Sequence, residues 1–159
     1  TSIASAFSDF AKMPVVKKEI LNLVKVIKHA VEIFSEPYIS FFSEKENISI
    51  YSDKTQLVRI ITNLVTNANQ ALSNIENPKI EVQIRDGKDY VEISVADNGK
   101  GIDKKDVDKV FEPKFTTKTS GMGLGLPMVK NIIETYRGSI HFVSELNKGT
   151  VFTIKLPKN

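Results

Sequence analysis

Asp97 follows a run in which Val91, Ile93 and Val95 alternate with Glu92 and Ser94. Its parity places a carboxylate on the face that the apolar residues bury, at the strand's end, where an unpaired charge is costly. It therefore needs a donor. The next residues, Asn98-Gly99-Lys100-Gly101-Ile102, supply two glycines that let a flat ligand approach the backbone closely. The same Asp-Asn-Gly also fits an ordinary turn. A second group of polar side chains, Arg59, Asn63, Asn67 and Gln70, recurs at helical spacing on one stripe. Amide oxygens side by side at the edge of a core can coordinate a hard cation or a polar ligand. A solvated helix face has the same pattern.

Gly121-Met122-Gly123-Leu124-Gly125-Leu126 leads into an apolar periodic run with Pro127 at its first turn. Free N–H groups and the positive end of that helix could meet phosphate oxygens there, or the glycines could serve as a hinge. The spacing is neither G-x-G-x-x-G nor G-x-x-x-x-G-K-[ST]. Between the two glycine clusters, Phe111-Glu112-Pro113-Lys114-Phe115-Thr116-Thr117-Lys118 offers two aromatic anchors, or two core phenylalanines, and a lysine that can reach an anion.

These groups require a scaffold, and the periodicity supplies one. A strand over 18–22 and a helix on Val24, Ile27, Val31 and Phe34 precede short strands at Tyr38 to Ser43 and Ile48 to Ser52. A helix over 53–73 starts at a capping box, with Asp53 accepting a first-turn N–H and Gln56 reaching back. Its buried stripe is Leu57, Ile60, Ile61, Leu64, Val65, Ala68 and Leu72. Ile80, Val82 and Ile84 form a hairpin with Val91 to Val95, residues 97–125 read as loop, and Leu126, Val129, Ile132, Ile133 and Tyr136 mark another helix. A last hairpin turns at Asn147-Lys148-Gly149. The sum is a two-layer α/β sandwich with a mixed, mostly antiparallel sheet covered by helices on one face. Residues 1–12 carry Ile3, Phe7, Phe10 and Ala11 at helical spacing, as a helix on this domain or as the cut end of a longer one; the start at Thr1 suggests a fragment.

At 159 residues, 41% hydrophobic and 26% charged, the chain is sized for one globular domain. Without Cys it can hold no disulfide, thiolate metal site or cysteine nucleophile, and two His leave little for a histidine-based metal cluster. A net charge of +3 does not announce a nucleic-acid partner, and no apolar run is long enough to span a membrane.

Taken in order, Asn-Leu-Val-Thr-Asn-Ala at 63–68, Asp-Asn-Gly-Lys-Gly-Ile at 97–102, the Phe111 to Lys118 segment, the glycine run at 121–126 and Gly149-Thr150 resemble the N, G1, F, G2 and G3 boxes of sensor histidine kinases, in a form similar to the nitrogen-regulation type. The resemblance covers residues 15–157. It implies the Bergerat-type ATP-binding fold, with 15–159 as the catalytic domain and 1–14 as a linker and the tail of a dimerisation-domain helix. It further implies that Asp97 accepts the adenine amino group, that Gly99 and Gly101 shape the base pocket, and that Thr150 supports it through water. Asn67 is implied as the Mg²⁺ ligand with Asn63 one turn earlier, Phe111 and Phe115 as anchors of a lid, and Gly121, Gly123 and Gly125 as its phosphate-facing N–H groups. Ile102, Thr116, Thr117, Leu124 and Leu126 complete the expected ATP contacts. Lys114, Gln70 and Pro127 depart from the common pattern, which leaves Lys118 as the expected γ-phosphate contact.

Related ATPases carry a Glu that activates water where this chain has Asn63. An amide cannot accept that proton near neutral pH, so hydrolysis is not promoted and the phosphoryl group is kept for another nucleophile. Neither His29 nor His141 sits in an acceptor-type sequence. The expected partners are therefore a dimerisation and histidine-phosphoacceptor domain and, downstream, a response regulator. No nucleic-acid or membrane contact is expected, the isolated domain should be monomeric, and its site is cytoplasmic even if the parent is membrane-anchored. The alternatives are a nucleotide-sensing module or a non-kinase ATPase of the same superfamily.

Overall fold

The computed structural model describes residues 16–112 and 125–158. Seven strands and three α-helices alternate along them: β1 (Glu19–Asn22), α1 (Leu23–Glu32), β2 (Ile39–Ser43), β3 (Ser49–Ser52), α2 (Lys54–Ala71), β4 (Ile80–Asp86), β5 (Tyr90–Asp97), α3 (Gly125–Thr135), β6 (Ser139–Glu145) and β7 (Gly149–Pro157). Five strands form one sheet in the order β2-β4-β5-β7-β6. The β2–β4 pair is parallel and the other three are antiparallel, as the expected mixed sheet requires.

Strict alternation along β4, β5 and β7 sends Ile80, Val82, Ile84, Val91, Ile93, Val95, Phe152, Ile154 and Leu156 to one face, where all are buried. The helices cover that face with Leu23 and Ile27 from α1, Leu57, Ile60, Ile61 and Leu64 from α2, and Ile132 and Ile133 from α3. This is the expected two-layer sandwich. β1 and β3 leave it to pair as a separate antiparallel ribbon, Glu19 opposite Ser52 and Asn22 opposite Ser49. That pairing joins segments about thirty residues apart and has no local signature.

Two expectations need correction. Asp53 caps α2 as anticipated, its Oδ1 accepting the Gln56 N–H at 3.2 Å. The Gln56 side chain does not reach back; it is buried, and its Oε1 accepts the Tyr136 hydroxyl proton from beyond α3. The second Asp53 oxygen instead accepts the Lys17 N–H at 2.7 Å, clamping the entry to β1. Burial, with the Asp53 charge beside it, pushes the Tyr136 phenol up to about 12, so it remains a donor to Gln56. The loop expected over 97–125 also contains a 3₁₀ helix, Lys104–Lys109, capped by the Asp103 carboxylate on the Lys105 N–H at 3.1 Å.

Candidate functional site

The register of four strands lays Ile80, Asp97, Thr150 and Ser144 side by side at one end of the sheet, all on the helix-covered face. Ile80 and Thr150 are buried, while Asp97 and Ser144 are half-buried where the helix cover stops. Asp97 Oδ1 accepts the Gly99 N–H at 2.8 Å, a local turn that orients the carboxyl. Burial raises the Asp97 pKa above the ordinary range, opposed by the Gly99 and Thr150 amides. The carboxylate thus lies where the parity of β5 predicts, with one donor from the loop that follows it.

That loop is held on two sides. The Lys100 N–H donates to the Ala71 carbonyl at 3.0 Å, at the end of α2, and the Lys100 carbonyl accepts from Asn147 N–H at 2.7 Å, in the β6–β7 turn. Gly99 lies against Ala71, where a Cβ would collide with the carbonyl. Gly101, at φ +73°, would drive one into Glu145. Asn98 closes the outer side, accepting the Lys79 N–H at 2.8 Å and donating to the Asn77 carbonyl at 2.9 Å. The glycines therefore serve close backbone approach within the protein, in addition to any approach by a ligand.

Ser144 was missed in the sequence. Its Oγ accepts the Ile102 N–H at 2.8 Å and lies 2.8 Å from Thr150 Oγ1 and 3.2 Å from the Gly149 carbonyl. It shares parity with Ile140 and Phe142, so pairing β6 with β7 by alternation would have placed it beside Thr150.

On α2, Arg59, Asn63 and Asn67 are half-buried and only Gln70 is exposed, so the stripe is not a solvated face. Asn63 Nδ2 donates to the Arg59 carbonyl at 2.8 Å, which leaves Oδ1 as the free end of the amide. That oxygen lies 3.2 Å from where a Cβ on Gly125 would be, so the first turn of α3 meets α2 at Asn63. Leu126 and Pro127 follow, both half-buried. Phe111 packs on the sheet end, its ring 5.9 Å from Phe142 and 6.3 Å from Phe152, with Lys130 Nζ 5.2 Å from its centre. Phe111 thus packs as a core residue. Phe115, Thr116, Thr117, Lys118, Gly121, Gly123 and Leu124 lie outside the described residues, as do residues 1–14.

Asn63 and Asn67 carry amide oxygens one turn apart on α2, a donor set that would suit a small hard cation; among the described residues no three His, Cys, Asp or Glu converge. His29 is exposed on α1 and His141 is exposed on the opposite sheet face from Asp97. A cleft of about 500 Å³ opens at the far end of the sheet, lined by Ile20, Tyr51, Tyr90 and Lys158. Lys158 is paired with Asp86 there, whereas the half-buried Asp97 carboxylate, the Gly99–Gly101 loop and the start of α3 over Asn63 stand at the other end. No helix of the described residues is long and apolar enough to cross a membrane.

The family model for histidine kinase-, DNA gyrase B-, and HSP90-like ATPases matches residues 52–159. The chain is 33% identical to the sensor histidine kinase ZraS of Escherichia coli, over 99% of its own length and 35% of that protein. It therefore spans about a third of that relative. The solved catalytic domain of histidine kinase ThkA superposes with a TM-score of 0.77 at 33% identity, covering 89% of this chain and 96% of that one. Histidine kinase ThkA in complex with the response regulator TrrA gives 0.79 at 28% identity, over 99% of this chain and 47% of that one.

Proposed function

Given that the chain belongs to the histidine kinase-, DNA gyrase B-, and HSP90-like ATPase family, among the catalytic domains of sensor histidine kinases, we propose that it holds Mg-ATP with the base against Asp97 and delivers the terminal phosphoryl group to a histidine on another domain. The observation that carries this reading is the half-buried Asp97 carboxylate, its orientation set by Gly99, in line with Thr150 at the edge of the helix cover. A charged acceptor there suits an exocyclic amino group. Gly99, Gly101 and Ile102 form the wall of the base, and Gly125 and Leu126 lead the phosphates toward the start of α3.

Asn67 would hold the Mg²⁺ and Asn63 stands one turn earlier; when bound, the ion neutralises phosphate oxygens as charge shifts to the leaving ADP. Asn63 donates an amide proton to the Arg59 carbonyl and has no basic atom for water, which favours transfer over hydrolysis. As the acceptor imidazole bonds to the γ-phosphorus, the bond to the β–γ bridging oxygen breaks and ADP leaves. Phe115, Thr116, Thr117, Lys118, Gly121, Gly123 and Leu124 are proposed as the remaining nucleotide contacts on sequence grounds. The partners proposed are the dimerisation and phosphoacceptor domain and a response regulator, the latter supported by the ThkA–TrrA complex. The domain works on the cytoplasmic side, where ATP is supplied, and is monomeric when isolated.

Incubating the chain alone with γ-labelled ATP should give bound nucleotide, no label on the protein and slow phosphate release. Asn67→Ala should then weaken Mg-dependent binding and spare Mg-free binding of the adenosine part. Stable acid-labile phosphate on His29 or His141, or rapid phosphate release, would overturn the reading.

A further inference from the structure

Ser144 lies where three segments of the base pocket meet, and none of the roles above uses it. A serine hydroxyl has one proton and two lone pairs. Its neighbours are the Ile102 N–H at 2.8 Å, which can only donate, the Gly149 carbonyl at 3.2 Å, which can only accept, and the Thr150 hydroxyl at 2.8 Å, which can do either. Making all three bonds at once requires the Ser144 proton to go to Gly149 and one lone pair to Ile102. The remaining lone pair faces Thr150, so Thr150 is the donor of that pair. The single Thr150 proton is then committed to Ser144, and in any other direction Thr150 Oγ1 can only accept.

Asp97, the cross-strand partner of Thr150 on the same face, is also an acceptor. We propose that Ser144 is a specificity-determining positioning residue: by capturing the Thr150 proton it keeps the base-pocket rim acceptor-only, which admits a purine with an amino group and rejects one with a carbonyl at that position. The inference rests on the adenine-binding reading and goes beyond it, because Ser144 acts through Thr150 and the Ile102 loop. With Ala at 144 the Thr150 hydroxyl is free to rotate and donate, so the rim loses its single polarity.

The test is calorimetric titration of ATP and ITP, which differ at that amino-or-carbonyl position, against wild type, Ser144→Ala and Ser144→Thr. Ser144→Ala should lower the preference for ATP over ITP by about 3- to 10-fold, the worth of one neutral hydrogen bond. Ser144→Thr keeps the hydroxyl and should retain the wild-type preference. Equal weakening of both nucleotides, or no change, would overturn the proposal, since a purely structural serine moves both together. If Ser144→Ala does not fold, Thr150→Val removes the same acceptor from the other side, and an unchanged preference there overturns it equally. Asp97→Asn separates the two readings: no effect of that variant on ATP means the adenine site itself is misassigned, whereas loss with Asp97→Asn but no altered preference with Ser144→Ala rejects Ser144 alone.

Discussion

Asp97→Asn is expected to weaken ATP and ADP together by roughly 10- to 150-fold, the worth of a hydrogen bond to a charged acceptor. The amide retains an oxygen for the Gly99 N–H, so the local turn survives, but it can present an N–H to the adenine amino group. GTP, with a carbonyl at that position, should not weaken. The same substitution has an opposite effect on stability. Burial raises the Asp97 pKa in the folded protein above its unfolded value, so the folded state binds the proton more tightly. The resulting stabilisation is complete below the ordinary carboxylate range and is lost as pH rises through the folded value. At neutral pH the nucleotide-free wild type therefore carries the cost of a half-buried charge that the Asn variant lacks. The variant should melt higher than wild type at neutral pH, with the gain shrinking in acid. A gain independent of pH would contradict the buried-charge origin of the effect, and an unchanged ATP affinity would remove Asp97 from the base site.

Gly99→Ala should damage fold and site together. The added Cβ would meet the Ala71 carbonyl oxygen well inside contact distance, the Ala71 carbonyl carbon at 2.8 Å and its Cβ at 2.9 Å. The first two are backbone at the end of α2, and the carbonyl is already engaged by the Lys100 N–H, so the loop must yield. Overpacking of this kind costs about 1–3 kcal/mol. Because the loss falls on the loop that walls the base, nucleotide affinity should fall by up to about 150-fold as well. Gly87→Ala is the control. A Cβ there would collide with the Tyr90 carbonyl at the far end of the sheet, so stability should drop while ATP binding holds. A Gly99→Ala protein that binds ATP normally would mean that the loop does not form the pocket.

Much of this was legible from local pattern. Period-two alternation set the faces of β4, β5 and β7, and with them the direction of Asp97; the 3.6-residue repeat set α2 and its core stripe. What escaped depends on partners distant in sequence. The β1–β3 ribbon, the Gln56–Tyr136 pair across eighty positions and the Asp53 clamp on Lys17 leave no trace in a local window. Ser144 stood on a correctly placed strand, but its value appears only once β6 is registered against β7 and Ile102 folds back onto it. The Arg59–Asn63–Asn67 stripe was foreseen as a helix face, yet its half-burial follows from the start of α3 standing over Asn63.

On this reading an adenine nucleotide occupies the Asp97 end of the sheet and not the cleft at the opposite end. Backbone amide chemical shifts recorded during titration with Mg-ADP test it most directly. The largest shifts should fall on Gly99, Gly101, Ile102, Gly125 and Thr150, with Ile20, Tyr51 and Tyr90 unmoved. Saturable shifts on Ile20, Tyr51 and Tyr90, with Gly99, Gly101 and Thr150 unchanged, would contradict it.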